Sequence, residues 1–177
     1  AFAARLWWMM RALHYANVSL LDGGLGAWRA AGGSLDTGVP VAKPVPEPLV
    51  GDYGGKLDMQ GVRQARAGGA LLVDSRDAPR FQGIEEPIDP VAGHIPGAMN
   101  LPWQGATNES GRMLDPEAQA ARLSVLDPGR DLVVYCGSGV TACVNLLALH
   151  LAGRDGARLY PGSWSDWCSY EENVSEL

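Results

Sequence analysis

The chain has 177 residues, 46% hydrophobic and 19% charged, with 14 Lys and Arg against 20 Asp and Glu for a net charge of -6. This is the composition of one globular unit, or slightly more, large enough to bury a core without metal or disulfide support. The acidic balance and scattered basic residues argue against a nucleic-acid partner. No apolar run reaches the ~18 residues that span a bilayer, and no charged n-region opens a leader, so a cytoplasmic protein with no membrane partner is expected.

In chain order, residues 2–13 predict a helix whose Phe2, Leu6, Trp7, Trp8, Met9, Met10 and Leu13 exceed what one face of a free helix carries. It therefore needs cover. A strand is predicted over Val18–Leu21, followed by a short helix bearing Trp28. The stretch from Gly32 to Pro48 carries Pro40, Pro44, Pro46 and Pro48 and no apolar periodicity, which reads as an extended, semi-rigid linker. It divides the chain into residues 1–38, a linker over 39–48 and a larger unit over 49–177.

In the larger unit Asp58 predicts the cap of a helix running to about Ala67, and Leu71, Leu72 and Val73 form a buried strand ending at Asp74. Ala98–Leu101 is a second short strand. Asp115 before Pro116 pairs a capping side chain with a proline at the first helical position, and that helix should reach about Val125. Leu132–Tyr135 predicts a strand, Thr141–Ala152 a helix and Arg158–Tyr160 a strand, after which Ser163 caps a last short helix. Alternating strands and helices predict an α/β fold with a mostly parallel sheet covered on both faces.

The short first piece repeats the end of the second. At a constant offset and without gaps, Ala3 meets Ala142, Leu20 meets Leu159, Gly23 meets Gly162 and Trp28 meets Trp167. The chain thus reads as beginning inside a first copy of the same unit, and the residue at position 1 is Ala rather than Met. Cover for the apolar helix would come from the second unit, another copy of the chain, or a missing N-terminal half-domain.

Cys136, Cys143 and Cys168 are odd in number and do not have zinc-site spacing, and His14, His94 and His150 are dispersed, so neither a disulfide framework nor a metal centre is expected. Cys136 stands between an apolar strand and a helix, joined by Gly137, Ser138, Gly139 and Val140. This is the anion-binding end of an α/β unit. The glycines let amides turn inward around the sulfur and the helix dipole adds partial positive charge, both favouring a negatively charged sulfur, a persulfide included. A phosphatase loop built on the same plan would have an arginine where this chain has Ala142, so phosphoryl transfer lacks its charge partner.

The motifs VVYCGSGVTAC, LYPGSWSDW, VDSRDAPRF and AGHIPGAMNLPW together resemble the C-terminal catalytic domain of tandem rhodanese-type sulfurtransferases, from Leu49 to about Tyr170. LDGGLGAWRAAG resembles the end of that family's inactive first domain. The resemblance implies a rhodanese fold with a five-stranded parallel sheet flanked by helices. It also implies a ping-pong reaction in which Cys136 takes a sulfane sulfur as a persulfide and hands it to cyanide, a thiol or a reduced thioredoxin, with no metal or organic cofactor. Cys136 matches the nucleophile, Gly137, Ser138, Gly139, Val140 and Thr141 the persulfide-holding loop, and Arg80 the arginine that binds the anionic donor. Ser138 matches the loop serine of the mercaptopyruvate enzymes, whose small neutral loops resemble CGSGVT more than the basic loops of the thiosulfate enzymes do. The second donor-binding arginine of the mercaptopyruvate pattern is absent, since Glu86 and Pro87 are followed by Ile88. The aspartate and histidine partners from the first half of domain one are absent too. The alternatives are a non-enzymatic rhodanese binding module and, from the same fold, a cysteine phosphatase or arsenate reductase.

The remaining landmarks read as structural. Asp74 and Arg76 tie down a strand end, His94 makes a local hydrogen bond, Cys143 and Cys168 are core residues, and Glu85, Glu86 and Asp89 form a solvated acidic loop.

Overall fold

The computed structural model describes residues 1–41, 43 and 51–176. Most of the linker expected over 39–48 lies outside the described residues.

Four parallel strands form one sheet in the order β2-β1-β3-β4, with β1 at Leu71–Asp74, β2 at Met99–Asn100, β3 at Leu132–Tyr135 and β4 at Arg158–Leu159. The two central strands, β1 and β3, are buried along their whole length. They can therefore be apolar runs, as parallel strands covered on both faces require, with Asp74 at the end of β1 the one charged residue. A fifth strand was expected. Its edge position is held by a single parallel bridge, Lys56 to Leu159, with the Leu57 amide on the Leu159 carbonyl and the Leu159 amide on Gly55.

Alternation along the strands divides the core in two. On one side Leu71, Val73, Leu132, Val134 and Leu159 meet α1 (Phe2–Ala12), α5 (Pro116–Leu123) and α6 (Ala142–Leu151). On the other, Leu72, Val133 and Tyr135 meet α3 (Met59–Ala67) and α7 (Ser163–Trp167). The short elements α2 (Gly24–Ala30), α4 (Ala78–Phe81), a 3₁₀ turn at Trp103–Ala106 and α8 (Glu171–Val174) complete the described chain. Asp58 and Asp115 cap α3 and α5 as their sequences predict, accepting the amides of Gly61 and Ala118 at 2.8 Å.

The helix α6 is almost wholly apolar from Ala142 to Leu149, Asn145 excepted, because that stretch is buried, with the sheet and α1 both packed against it. The α1 stripe Ala4, Trp7, Trp8 and Ala12 supplies that second cover, with burial of each tryptophan worth roughly 1.5–3 kcal/mol. Cover for α1 thus comes from α6 and the core around it, while Phe2 and Leu6 stay 81% and 60% exposed. No strand forms over Val18–Leu21; no sheet partner lies beside it among the described residues, and Val18 and Leu20 only rest against the core. Ser163 does not cap α7 but is its first residue, at φ 59°, with Gly162 in the cap position. Among the described residues no helix is long and apolar enough to cross a membrane.

The register places Asp74 opposite Tyr135 at the carboxyl edge of the sheet. The chain leaves β1 toward β2 on one side and β3 toward β4 on the other, so the crevice between β1 and β3 is the point where the winding reverses. Ligands of open α/β sheets bind at such a point. Cys136 is the first residue beyond β3 there.

Candidate active site

Cys136 is buried, and its Sγ accepts the Gly139 amide at 3.1 Å. Gly139 lies at φ 74°, a left-handed conformation that lets successive amides converge on an anion. Among the described residues the amides of Gly137, Ser138, Val140 and Thr141 donate to no protein acceptor. The loop thus offers one N–H bonded to sulfur and four more without partners, followed by the start of α6 after Thr141. Ser138 is exposed and Val140 half-buried.

The first residues of α7 fix this loop. The Ser163 hydroxyl donates to the Tyr160 carbonyl at 2.8 Å and accepts the Cys136 amide at 3.1 Å. The amides of Trp164 and Ser165 donate to the carbonyls of Cys136 and Gly137, each at 3.0 Å. A serine held at positive φ is a local cost of about 1–2 kcal/mol, offset here by three bonds to the loop. Ser163 in LYPGSWSDW has the sequence of a helix cap, but in the fold its hydroxyl accepts the Cys136 amide instead.

Arg80 reaches the loop from α4. A Cβ placed on Gly137 would stand 3.3 Å from its Nη1, so the guanidinium lies against the loop and a side chain at 137 would crowd it. Its Nη2 is bound to Glu86 at 2.6 Å and Asp89 at 3.3 Å. Behind it Arg76 bonds Asp74 at 2.7 Å, Glu86 at 3.1 Å and the Gly93 carbonyl at 2.7 Å, and stacks over Trp164. This corrects the expectation of a solvated acidic loop: the Glu86 side chain is 3% exposed, wedged between two arginines, and Asp89 is nearly as buried. Burial alone would raise the Glu86 pKa; the bonds from Arg80 and from the Asp89 and Ile88 amides outweigh it, and the value falls below the ordinary carboxylate range. Arg76 is raised, since Asp74 outweighs the opposing effect of burial. Ile88, at the position of the missing second arginine, is exposed.

The other landmarks fall into structural places. His94 Nδ1 is 2.8 Å from the Phe81 carbonyl and its ring stacks on Phe81. Cys143 is buried in α6, where burial pushes its thiol up to about 11 against the partial opposing pull of Arg5. All three cysteines are free. Among the described residues no group of three or more His, Cys, Asp or Glu is placed to hold a metal ion. Ala142, where a phosphatase loop would put arginine, is fully buried.

Residues 59–170 match the rhodanese-like domain family. The chain is 49% identical over 178 residues to a Pseudomonas aeruginosa protein described as "Probable 3-mercaptopyruvate sulfurtransferase", covering 94% of this chain and 61% of that protein. It is 35% identical over 176 residues to human 3-mercaptopyruvate sulfurtransferase, covering 93% of this chain and 57% of the human one. It therefore spans less than two thirds of either relative. The crystal structure of SseA from Escherichia coli, described as a 3-mercaptopyruvate sulfotransferase, superposes with a TM-score of 0.78 at 31% identity over 92% of this chain and 62% of that one. A parallel sheet flanked by helices, a cysteine loop at its winding reversal and the family match over most of the chain lead to one assignment: the chain belongs to the rhodanese-like domain family.

Proposed function

We propose that the chain carries the catalytic unit of a sulfurtransferase that moves a sulfane sulfur from 3-mercaptopyruvate or thiosulfate, through a Cys136 persulfide, to cyanide or a thiol, including a thioredoxin-like acceptor. The observation that carries the reading is the Cys136 Sγ accepting the Gly139 amide in a loop whose other amides lack partners. An outer sulfur on Cys136 would bring a negative charge that those amides are free to meet. The relatives named above support the same chemistry.

In the first half-reaction the Cys136 thiolate attacks the donor's outer sulfur and an S–S bond forms. With mercaptopyruvate the C–S bond breaks, its electron pair stays on carbon as the pyruvate enolate, and the thiol proton ends on that carbon. With thiosulfate the S–S bond breaks and sulfite leaves with the pair. In the second half the acceptor attacks the outer sulfur and Cys136 leaves as thiolate, so the charge balances in both. Arg80, against Gly137, holds the donor's anionic end, and Gly137, Gly139, Val140 and Thr141 give the persulfide its amides. Ser138, exposed at the loop tip, faces the incoming donor. Glu86 and Asp89 neutralise Arg80, so a singly charged carboxylate suits the site better than a dianion.

We further propose that residues 1–38 are the C-terminal part of a first rhodanese unit and 49–177 the second, joined through 39–48, in a cytoplasmic protein. The repeated order supports this: α1 and α6 each lead through an extended stretch to a glycine cap, Gly23 or Gly162, and a Trp-bearing helix. Incubation with each donor, followed by intact mass, tests the activity; one added sulfur on Cys136 is the expected product.

A further inference from the structure

The Cys136 loop carries no cation of its own, and Arg80 beside it is matched by two carboxylates. A second arginine reaches the loop from α1. Arg5, on α1, donates from Nη1 to the Gly139 carbonyl at 3.0 Å, and the same nitrogen lies 4.0 Å from the Cys143 sulfur. Among the described residues Arg5 has no carboxylate partner, and its guanidinium stacks over Trp8, 5.3 Å from the ring centre. The burial of Trp7 and Trp8 against α6 anchors that stack.

The Gly139 carbonyl and the Val140 N–H belong to one planar trans peptide and point in opposite directions. A cation that holds the carbonyl on the outside of the loop therefore fixes the Val140 N–H on the inside. It also polarises the peptide, making that N–H a better donor to an anion. Left-handed Gly139 allows its own amide, already on Sγ, and the Val140 amide to converge on one atom.

We propose that Arg5 is a positioning residue for sulfur transfer: from the first segment of the chain it locks the 139–140 peptide with its amide toward the sulfur, and it supplies the loop's unneutralised positive charge. This rests on the sulfurtransferase reading above and adds to it a residue 134 positions away from the loop it serves. It also gives the contact between the two segments a chemical role beyond packing.

The test uses the full chain with Arg5→Met, which keeps the apolar stem, Arg5→Gln, which keeps an uncharged donor, and Arg5→Lys, which keeps charge and donor. Rates of Cys136 alkylation by iodoacetate and by iodoacetamide, located by peptide mapping, give a ratio that reports local positive charge independently of turnover. Arg5→Met and Arg5→Gln should lower this ratio about threefold, as loss of one partly exposed charge interaction predicts, and Arg5→Lys should restore it. With donor, Arg5→Met should lower kcat about tenfold with little change in KM, since the lost alignment acts on the negative sulfur formed in the reaction. Should Arg5→Met fail to fold, Arg5→Gln decides through the same ratio. A folded Met or Gln variant with the wild-type ratio and kcat would overturn the proposal. If wild-type protein takes up no sulfur, the sulfurtransferase reading fails, and the alkylation ratio still decides whether Arg5 sets the charge at Cys136.

Discussion

The Pro161 carbonyl lies so close under Gly139 that a Cβ on the glycine would stand 2.4 Å from its oxygen. Gly139 also sits at φ 74° and donates to Cys136 Sγ, so backbone conformation, space and sulfur contact all require glycine. Gly139→Ala should lose at least about 2 kcal/mol of stability, from left-handed strain and the contact with Pro161. It should also accept sulfur more slowly at Cys136. Urea unfolding and the rate of donor consumption measure the two effects, and a variant equal to wild type in both would show that the loop does not need this geometry.

Ser163 holds the Cys136 amide from outside the loop. Ser163→Ala leaves that buried N–H without its acceptor and should cost about 1–3 kcal/mol. Ser163→Gly removes the same hydroxyl but relieves positive φ, and should recover roughly 1 kcal/mol of the loss. The order wild type, Gly, Ala in unfolding midpoint is the expected result; an alanine variant as stable as wild type would contradict the clamp.

Glu86 and Arg80 separate stability from donor binding. Arg80→Ala should lower kcat/KM by roughly one to three powers of ten through the loss of a charge-assisted contact, mainly in KM. Glu86→Gln leaves two arginines short of a carboxylate and should destabilise the fold by about 3 kcal/mol. Because its pKa is lower folded than unfolded, Glu86 stabilises the protein above the ordinary glutamate range, and this is lost as pH falls through the lowered value. The acid limb of a stability–pH curve should therefore be shallower in Glu86→Gln, and parallel limbs would remove Glu86 from the account.

Burial raises the Cys143 thiol to about 11, so it stays protonated near neutral pH. Brief treatment of the folded protein with iodoacetamide should label Cys136 and spare Cys143, and in urea all three cysteines should react. Mapping of the labelled peptides checks this; Cys143 labelled first in the folded state would reverse the assignment of the reactive thiol.

The sequence carries those features that local rules encode. Leu71–Asp74 and Leu132–Tyr135 are legible because doubly covered strands read as apolar runs, here Leu71–Val73 and Leu132–Val134, and Asp58 and Asp115 because a cap acts within three residues. Cys136 and its glycines stand out for the same reason, as one short loop. Glu86 does not: it looks like part of an acidic surface run, and only the folded chain brings Arg76 and Arg80 around it. Ser163 has the sequence of a helix cap, yet its acceptor role goes to an amide 27 positions earlier. Arg5 carries no local signal, since its partner carbonyl comes from the far end of the chain. The Val18–Leu21 segment has strand-like residues, but a strand needs a neighbour and none of the described residues provides one.

The proposed reaction needs Cys136 as the sole carrier of the transferred sulfur. Intact mass of the wild-type chain and of Cys136→Ser, each incubated with mercaptopyruvate and separately with thiosulfate, tests it most directly. One added sulfur on the wild type, removed by cyanide and never gained by Cys136→Ser, is the predicted result. A sulfur adduct that survives in Cys136→Ser, or none on the wild type with either donor, would contradict it.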